Sequence, residues 1–238
     1  MTVGPRQFFG ISDSASLFVA NDVEPAMARQ LVSLSKKTKP VICYVGAAKG
    51  DRQDRIAEFL ALAERINAVP QVLSLFNPPT GDPSLFFAGV DIIFIDGGST
   101  RNLMAIFQEW DVVDALRAAY DQGVIIAGAS AGLNIMFDWS ITDSVKSQLA
   151  PIRGYGFLGG SVCVHYDANP NRPISFRDFL NRDSATFPAL AIDESVAVHF
   201  ENERMKSTFA VRSTASLQKI EKQNNALVSS AVAVQRIG

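Results

Sequence analysis

Four short apolar runs, at residues 41–45 (Val-Ile-Cys-Tyr-Val), 72–76, 90–95 and 124–127, recur through the first half of the chain with helical patterning between them. Near-continuous apolar strands separated by helices point to a parallel sheet covered on both faces, since a strand with one wet face would alternate in polarity. One helical segment spans 54–66, where Ile56, Phe59, Leu60 and Leu62 share a face. A second spans 101–119 with Leu103, Ile106, Phe107, Val113 and Leu116, and Gly123 stops it. Residues 151–182 read as loop-rich, and strands follow at 189–192, 196–200, 208–211 and 227–234. The expected architecture is α/β, a mostly parallel sheet flanked by helices with an antiparallel C-terminal extension, in one domain over 1–238.

A chain of 238 residues with 47% hydrophobic and 19% charged residues is expected to bury a sizeable core. Its net charge of -2 supplies no basic footprint, so nucleic acid is not an expected partner. The opening Met1-Thr2-Val3-Gly4-Pro5-Arg6 leads into only a short apolar stretch, and no later run approaches the length of a membrane span. A cytoplasmic protein with no membrane partner is expected. The two cysteines, Cys43 and Cys163, sit in apolar runs without CxxC or Cys/His spacing, which predicts reduced core thiols.

The run 124–127 leads into Gly128-Ala129-Ser130-Ala131-Gly132. Glycines on both sides of a serine permit a sharp strand-to-helix turn that projects the hydroxyl, with the Ala131 N–H facing the position of an oxyanion. Glycine-flanked serines also make plain turns and bind phosphate at helix N-termini, so the pentapeptide alone does not decide. A nucleophilic serine needs a base, and the chain has two histidines. His199 lies within an alternating strand and reads as a strand-face residue. His165 ends an apolar strand and opens a polar loop, where a base is expected. Acids that could orient it are Asp138 and Asp143, between serine and histidine, and Asp167, Asp193 and Glu194 downstream; spacing does not choose among them. Gly97-Gly98, after the run 90–95, would supply the other oxyanion N–H or form an ordinary strand-to-helix turn.

Ile95-Asp96-Gly97-Gly98-Ser99-Thr100 with Leu103, Gly128 to Gly132, Thr142-Asp143-Ser144, Gly154-Tyr155-Gly156-Phe157-Leu158, His165-Tyr166-Asp167 and Ala191-Ile192-Asp193-Glu194 occur in the order found in the peptidase E family. The chain resembles these serine peptidases, which include the more distant cyanophycinases, from about residue 41 to 200. The resemblance implies the three-layer, flavodoxin-like α/β fold of class I glutamine amidotransferases. It also implies removal of N-terminal aspartate from dipeptides, chiefly Asp-Xaa. It assigns Ser130 as nucleophile, His165 as base, Asp143 as the acid with Asp193 as second choice, and the Gly98 and Ala131 N–H groups as the oxyanion hole. Arg177, with Arg172 as alternative, matches the arginine that holds the substrate aspartate.

Two positions depart from the family pattern. Ser99 stands where many relatives carry asparagine, and Val164 where relatives often carry proline. The implied chemistry needs no metal or other cofactor, only a small peptide as partner, and leaves monomer or homodimer open. Its rivals are an esterase of the α/β-hydrolase type and a peptide-binding homologue without turnover.

Overall fold

A computed structural model describes residues 4–77, 82–146, 148–182 and 184–238; residues 1–3 of the opening segment read above lie outside them. In chain order the elements are β1 (Gln7–Ile11), α1 (Ala26–Ser33), β2 (Val41–Val45), α2 (Gln53–Arg65), β3 (Val69–Leu73), α3 (Pro83–Phe87), β4 (Ile92–Ile95), α4 (Thr100–Glu109), α5 (Val112–Asp121), β5 (Ile125–Ala129) and α6 (Ala131–Asn134). There follow β6 (Phe137–Val145), β7 (Gln148–Arg153), β8 (Leu158–Cys163), α7 (Asn171–Leu180), β9 (Ala189–Ile192), β10 (Val196–Glu201), β11 (Arg204–Ala210), β12 (Leu217–Gln223), β13 (Ala226–Val232) and β14 (Gln235–Arg236).

The strands form an eight-stranded sheet, β14-β11-β10-β1-β5-β4-β2-β3, and a six-stranded sheet, β13-β12-β9-β8-β6-β7. The run β1-β5-β4-β2-β3 is parallel, as the apolar strands require, and β10 and β11 extend it antiparallel. Side chains alternate across this sheet. Phe9, Ile42, Tyr44 and Phe94 pack under α1 and α2, whereas Phe8, Cys43, Ile93 and Ile126 face α4, α5 and the smaller sheet. The protein is therefore helix, parallel sheet and a mixed covering layer. No helix among the described residues is long and apolar enough to cross a membrane.

The six-stranded sheet goes beyond the expected extension. Within it β6, β8 and β9 pair in parallel, and Val162, Leu190 and Leu217 join the shared core. Its other face, with Ile141, Cys163 and Ala191, is covered by Phe176 and Phe179 of α7. The region read as loop-rich holds, besides the strand expected to end at His165 (β8), the end of β7 and the helix α7. Pro170 and Pro173 disguised the helix, although proline at a helix start has no N–H that the first turn needs.

Other boundaries moved as well, two of them for a clear physical reason. The helix expected over 101–119 is α4 and α5, because Asp111 adopts a left-handed conformation (φ 52°) that turns both apolar faces onto one core. The strand expected at 72–76 is β3, which starts earlier and runs through Pro70; as the sheet edge it tolerates the missing N–H. Both cysteines are free and buried, as expected, and burial pushes each thiol up to about 12.

Candidate active site

Ser130 sits between the end of β5 and the start of α6 with φ 49° and ψ -102°. A non-glycine residue there carries strain of about 1–3 kcal/mol and persists only when its surroundings fix it. They do so: the Ser130 N–H donates to Ile11 O on neighbouring β1 at 2.9 Å, and its carbonyl accepts from Asn134 N at 2.8 Å. Gly132 is obligatory in this turn, since a Cβ there would lie 2.3 Å from Ile95 O. The expected strand-turn-helix elbow is present.

Ser130 Oγ lies 2.9 Å from His165 Nε2. His165 follows β8, also has positive φ (52°), and its N–H donates to Ser12 Oγ at 2.9 Å. The other ring nitrogen, Nδ1, lies 3.1 Å from Glu194 Oε1. Glu194 occupies the turn between β9 and β10, where Asp167 Oδ1 accepts its N–H at 2.8 Å and Arg212 donates to its carbonyl at 3.1 Å. Arg212 also pairs with Asp167, and these contacts hold the Asp167 carboxyl below its usual range against the opposing effect of burial.

The acids preferred by resemblance point elsewhere. Asp143 pairs with Arg172, Oδ2 to Nη2 at 3.3 Å, and does not reach the imidazole. Asp193 accepts from Ser216 N–H and hydroxyl at 2.8 and 2.7 Å on the other side of the turn. The two carboxylates leave this turn toward different partners, and the residue next to Asp193 is the one that meets the histidine. Asp138 is likewise committed, to Gly160 N–H at 2.9 Å. His199 bonds Gln7 Oε1 at 3.0 Å inside β10, and burial lowers its pKa; it lies outside the cleft.

Around the serine, the turn after β4 has its amides assigned on either side of Gly98. Gly97 N–H donates to Asp96 Oδ1 at 2.7 Å and Ser99 N–H to Ala48 O at 2.9 Å. The Gly98 and Ala131 N–H groups have no hydrogen-bond acceptor among the described residues. A Cβ at Gly98 (φ 144°) would meet Ala48 O at 2.3 Å, so only glycine allows this approach. Ser99, the departure from the family pattern, caps α4 through Oγ to Asn102 N–H at 3.2 Å.

Asp96 is fully buried at the foot of this turn. Burial disfavours its charge, but bonds from Arg55 Nε (2.8 Å), Ser14 hydroxyl (2.6 Å) and the nearby Lys49 (3.3 Å) outweigh that and hold its carboxyl below the usual range.

A cleft of about 370 Å³ opens above Ser130 and His165 and is bordered by Gly98, Asn134, Asp143 and Arg172. Asn134 Nδ2 donates to Thr100 Oγ1 at 3.2 Å, while its Oδ1 has no partner among the described residues. Arg172, buried at the start of α7, is anchored by Nη1 to Val164 O at 3.1 Å. Arg177 faces away from the cleft and bonds Ser229 Oγ at 2.8 Å. Of the two candidate arginines, the structure brings only Arg172 to the serine. A helix turns about 100° per residue, so five positions separate the cleft side of α7 from its far side.

Comparison with known proteins bears on the family and the fold. The chain matches the family model Peptidase family S51 over residues 13–208. It is 32% identical over 213 residues to a protein described as uncharacterized peptidase YgaJ from Bacillus subtilis (strain 168), covering 90% of this chain and 92% of that protein. Its fold is similar to the crystal structure of a peptidase from an acI-B1 Actinobacterium, with TM-score 0.69 at 16% identity, covering 97% of this chain and 98% of that one. It is also similar to a putative peptidase E protein from Listeria monocytogenes EGD-e, with TM-score 0.66 at 14% identity over 87% and 100% of the two chains. Since the family match spans most of the sequence, the chain belongs to peptidase family S51, the peptidase E family, and is a serine-type peptidase.

Proposed function

We propose that Ser130, His165 and Glu194 form the catalytic triad of an α-aspartyl dipeptidase. The observation that carries this reading is the imidazole bridging Ser130 Oγ (2.9 Å) and Glu194 Oε1 (3.1 Å). With its proton on Nδ1 donated to Glu194, His165 presents Nε2 as the base toward the serine hydroxyl. Ser130 Oγ attacks the scissile carbonyl as Nε2 takes its proton, and the oxygen that becomes negative is received by the Gly98 and Ala131 N–H groups. The same proton passes to the leaving amine. Water, deprotonated by His165, then hydrolyses the acyl-enzyme and frees the serine.

Substrate choice follows from the cation and anion beside the serine. Arg172 is the donor for the side-chain carboxylate of an N-terminal aspartate, a charge-assisted bond that asparagine or alanine would forgo. Asp143 is the acceptor for the adjacent α-ammonium. The Arg172–Asp143 contact supports this division of roles, because the zwitterionic end of an aspartyl peptide exchanges one ion pair for two.

The test is release of aspartate from Asp-Leu, with Asn-Leu, Ala-Leu and a para-nitrophenyl ester alongside, by the wild-type protein and Ser130→Ala. Hydrolysis of Asp-Leu far above the other dipeptides, lost in the variant, is expected. Dependence on Ser130 with another preference would retain the triad and remove the aspartate assignment; preference for the ester alone would favour an esterase.

A further inference from the structure

The last residue of β1 and the turn after it do not line the cleft, yet successive residues there hold successive parts of the site. Ile11 O accepts the N–H of Ser130 at 2.9 Å. Ser12 Oγ accepts the N–H of His165 at 2.9 Å. Asp13 Oδ2 accepts the N–H of Ser195, next to Glu194, at 2.5 Å, while its Oδ1 is held by Ser16 N–H at 2.8 Å. Ser14 Oγ donates to Asp96 Oδ1 at 2.6 Å and accepts the N–H of Gly97, next to Gly98, at 3.3 Å.

Ser130, His165 and Ser195 share an uncommon property: all three are non-glycine residues with positive φ, at 49°, 52° and 70°. Such conformations survive only where neighbouring groups over-determine them. Each has its N–H fixed by one residue of the consecutive series 11–13, and residue 14 does the same for the turn that presents the Gly98 amide. β1 can do this because it lies between β5 and β10 in the sheet, adjacent to the strands on which the serine and the acid turn depend.

We infer that Ile11-Ser12-Asp13-Ser14 is a positioning segment that sets nucleophile, base, acid and oxyanion donor in mutual register without touching substrate. This inference rests on the triad proposed above. It differs from a merely structural role in predicting two distinct defects, divided among the three side chains. Ser12 and Asp13 act on the His165–Glu194 contact, whereas Ser14 acts on the oxyanion turn.

The experiment compares Ser12→Ala, Asp13→Asn and Ser14→Ala in the full chain. The para-nitrophenyl ester gives kcat and KM, the downfield proton NMR resonance of the imidazole Nδ1–H reports the His165–Glu194 contact, and binding of a peptide aldehyde reports the oxyanion hole. A displacement of about 1 Å costs up to about 100-fold in rate. Ser12→Ala and Asp13→Asn should lower kcat about 10- to 100-fold with KM within about twofold, and shift or abolish the resonance. Ser14→Ala should lower kcat and aldehyde affinity by similar factors with the resonance unmoved. Wild-type kinetics in the two serine variants, or one common defect in all three, would overturn the inference; the serine variants decide it even if Asp13→Asn does not fold. A fluorophosphonate that labels Ser130 in the wild-type protein separates the two levels. No labelling of folded protein overturns the triad itself, while labelling with unaffected variants overturns only the positioning segment.

Discussion

Arg172 Nη2 donates to Asp143 Oδ2 at 3.3 Å, and the two side chains differ in exposure, 7% against 69%. The guanidinium is fixed by backbone carbonyls and the carboxylate is free to change partners, so on the proposed reading the pair is a template for substrate more than a brace for the fold. Arg172→Met should reduce the preference for Asp-Leu over Ala-Leu by about 10- to 150-fold, the equivalent of a charge-assisted hydrogen bond worth about 1.5–3 kcal/mol. Arg177→Ala should leave that ratio unchanged. Competition between the two dipeptides measures it directly.

Glu194→Gln should lower kcat by about 10²- to 10⁴-fold, because a neutral amide neither stabilises the imidazolium nor enforces the tautomer. Asp143→Asn should leave ester turnover within about threefold. Steady-state kinetics on the para-nitrophenyl ester separate the two acids, and the reverse pattern would return the role to Asp143.

Gly98→Ala introduces a Cβ that would lie 2.3 Å from Ala48 O. The turn must move, and its N–H with it. Loss of one oxyanion donor is worth about 10²- to 10³-fold in kcat. An unchanged far-UV spectrum together with that loss would place the defect at the turn.

Asp96 makes stability depend on pH. Its folded carboxyl titrates below the unfolded value of about 3.9, so its contribution is fully present above that value and disappears as pH falls through the folded one. Asp96→Asn should flatten the acid limb of stability and cost about 3–5 kcal/mol at neutral pH, since Arg55 loses a buried partner. Urea unfolding between pH 2 and 7 tests both.

Cys43 and Cys163, buried and with thiols pushed up to about 12, should resist a thiol-specific disulfide reagent until the protein unfolds. Rapid titration of either in native buffer would contradict the packing described.

Much of this was legible in the sequence because strong periodicity and glycine chemistry are local. The strands around Val41 to Val45 and Ile92 to Ile95, the elbow at Ser130 and the position of His165 at a strand end all follow from short-range pattern. What escaped depends on which way a side chain points after a turn. Glu194 stood among several acids, and nothing in Ile192-Asp193-Glu194 says that Ser216 captures the first carboxylate and His165 the second. Arg172 stood second to Arg177 for a similar reason, because which of the two reaches the cleft depends on where α7 begins between two prolines. Ser12, Asp13 and Ser14 gave no signal at all; short polar residues after a strand are ordinary loop composition, and only the fold reveals their partners.

Ser130 belongs to the eight-stranded sheet, while His165 leaves β8 and Glu194 leaves β9, both of the six-stranded one. The Ser130 hydroxyl and the His165 imidazole are thus brought together across a seam between two layers. In chain order the serine precedes β8 and β9, so the partners of its hydroxyl are the last of the three to be synthesised. On the proposed triad, a serine whose base and acid hang from the other sheet has no general base until both layers are in place, so the completed fold is itself a condition of activity.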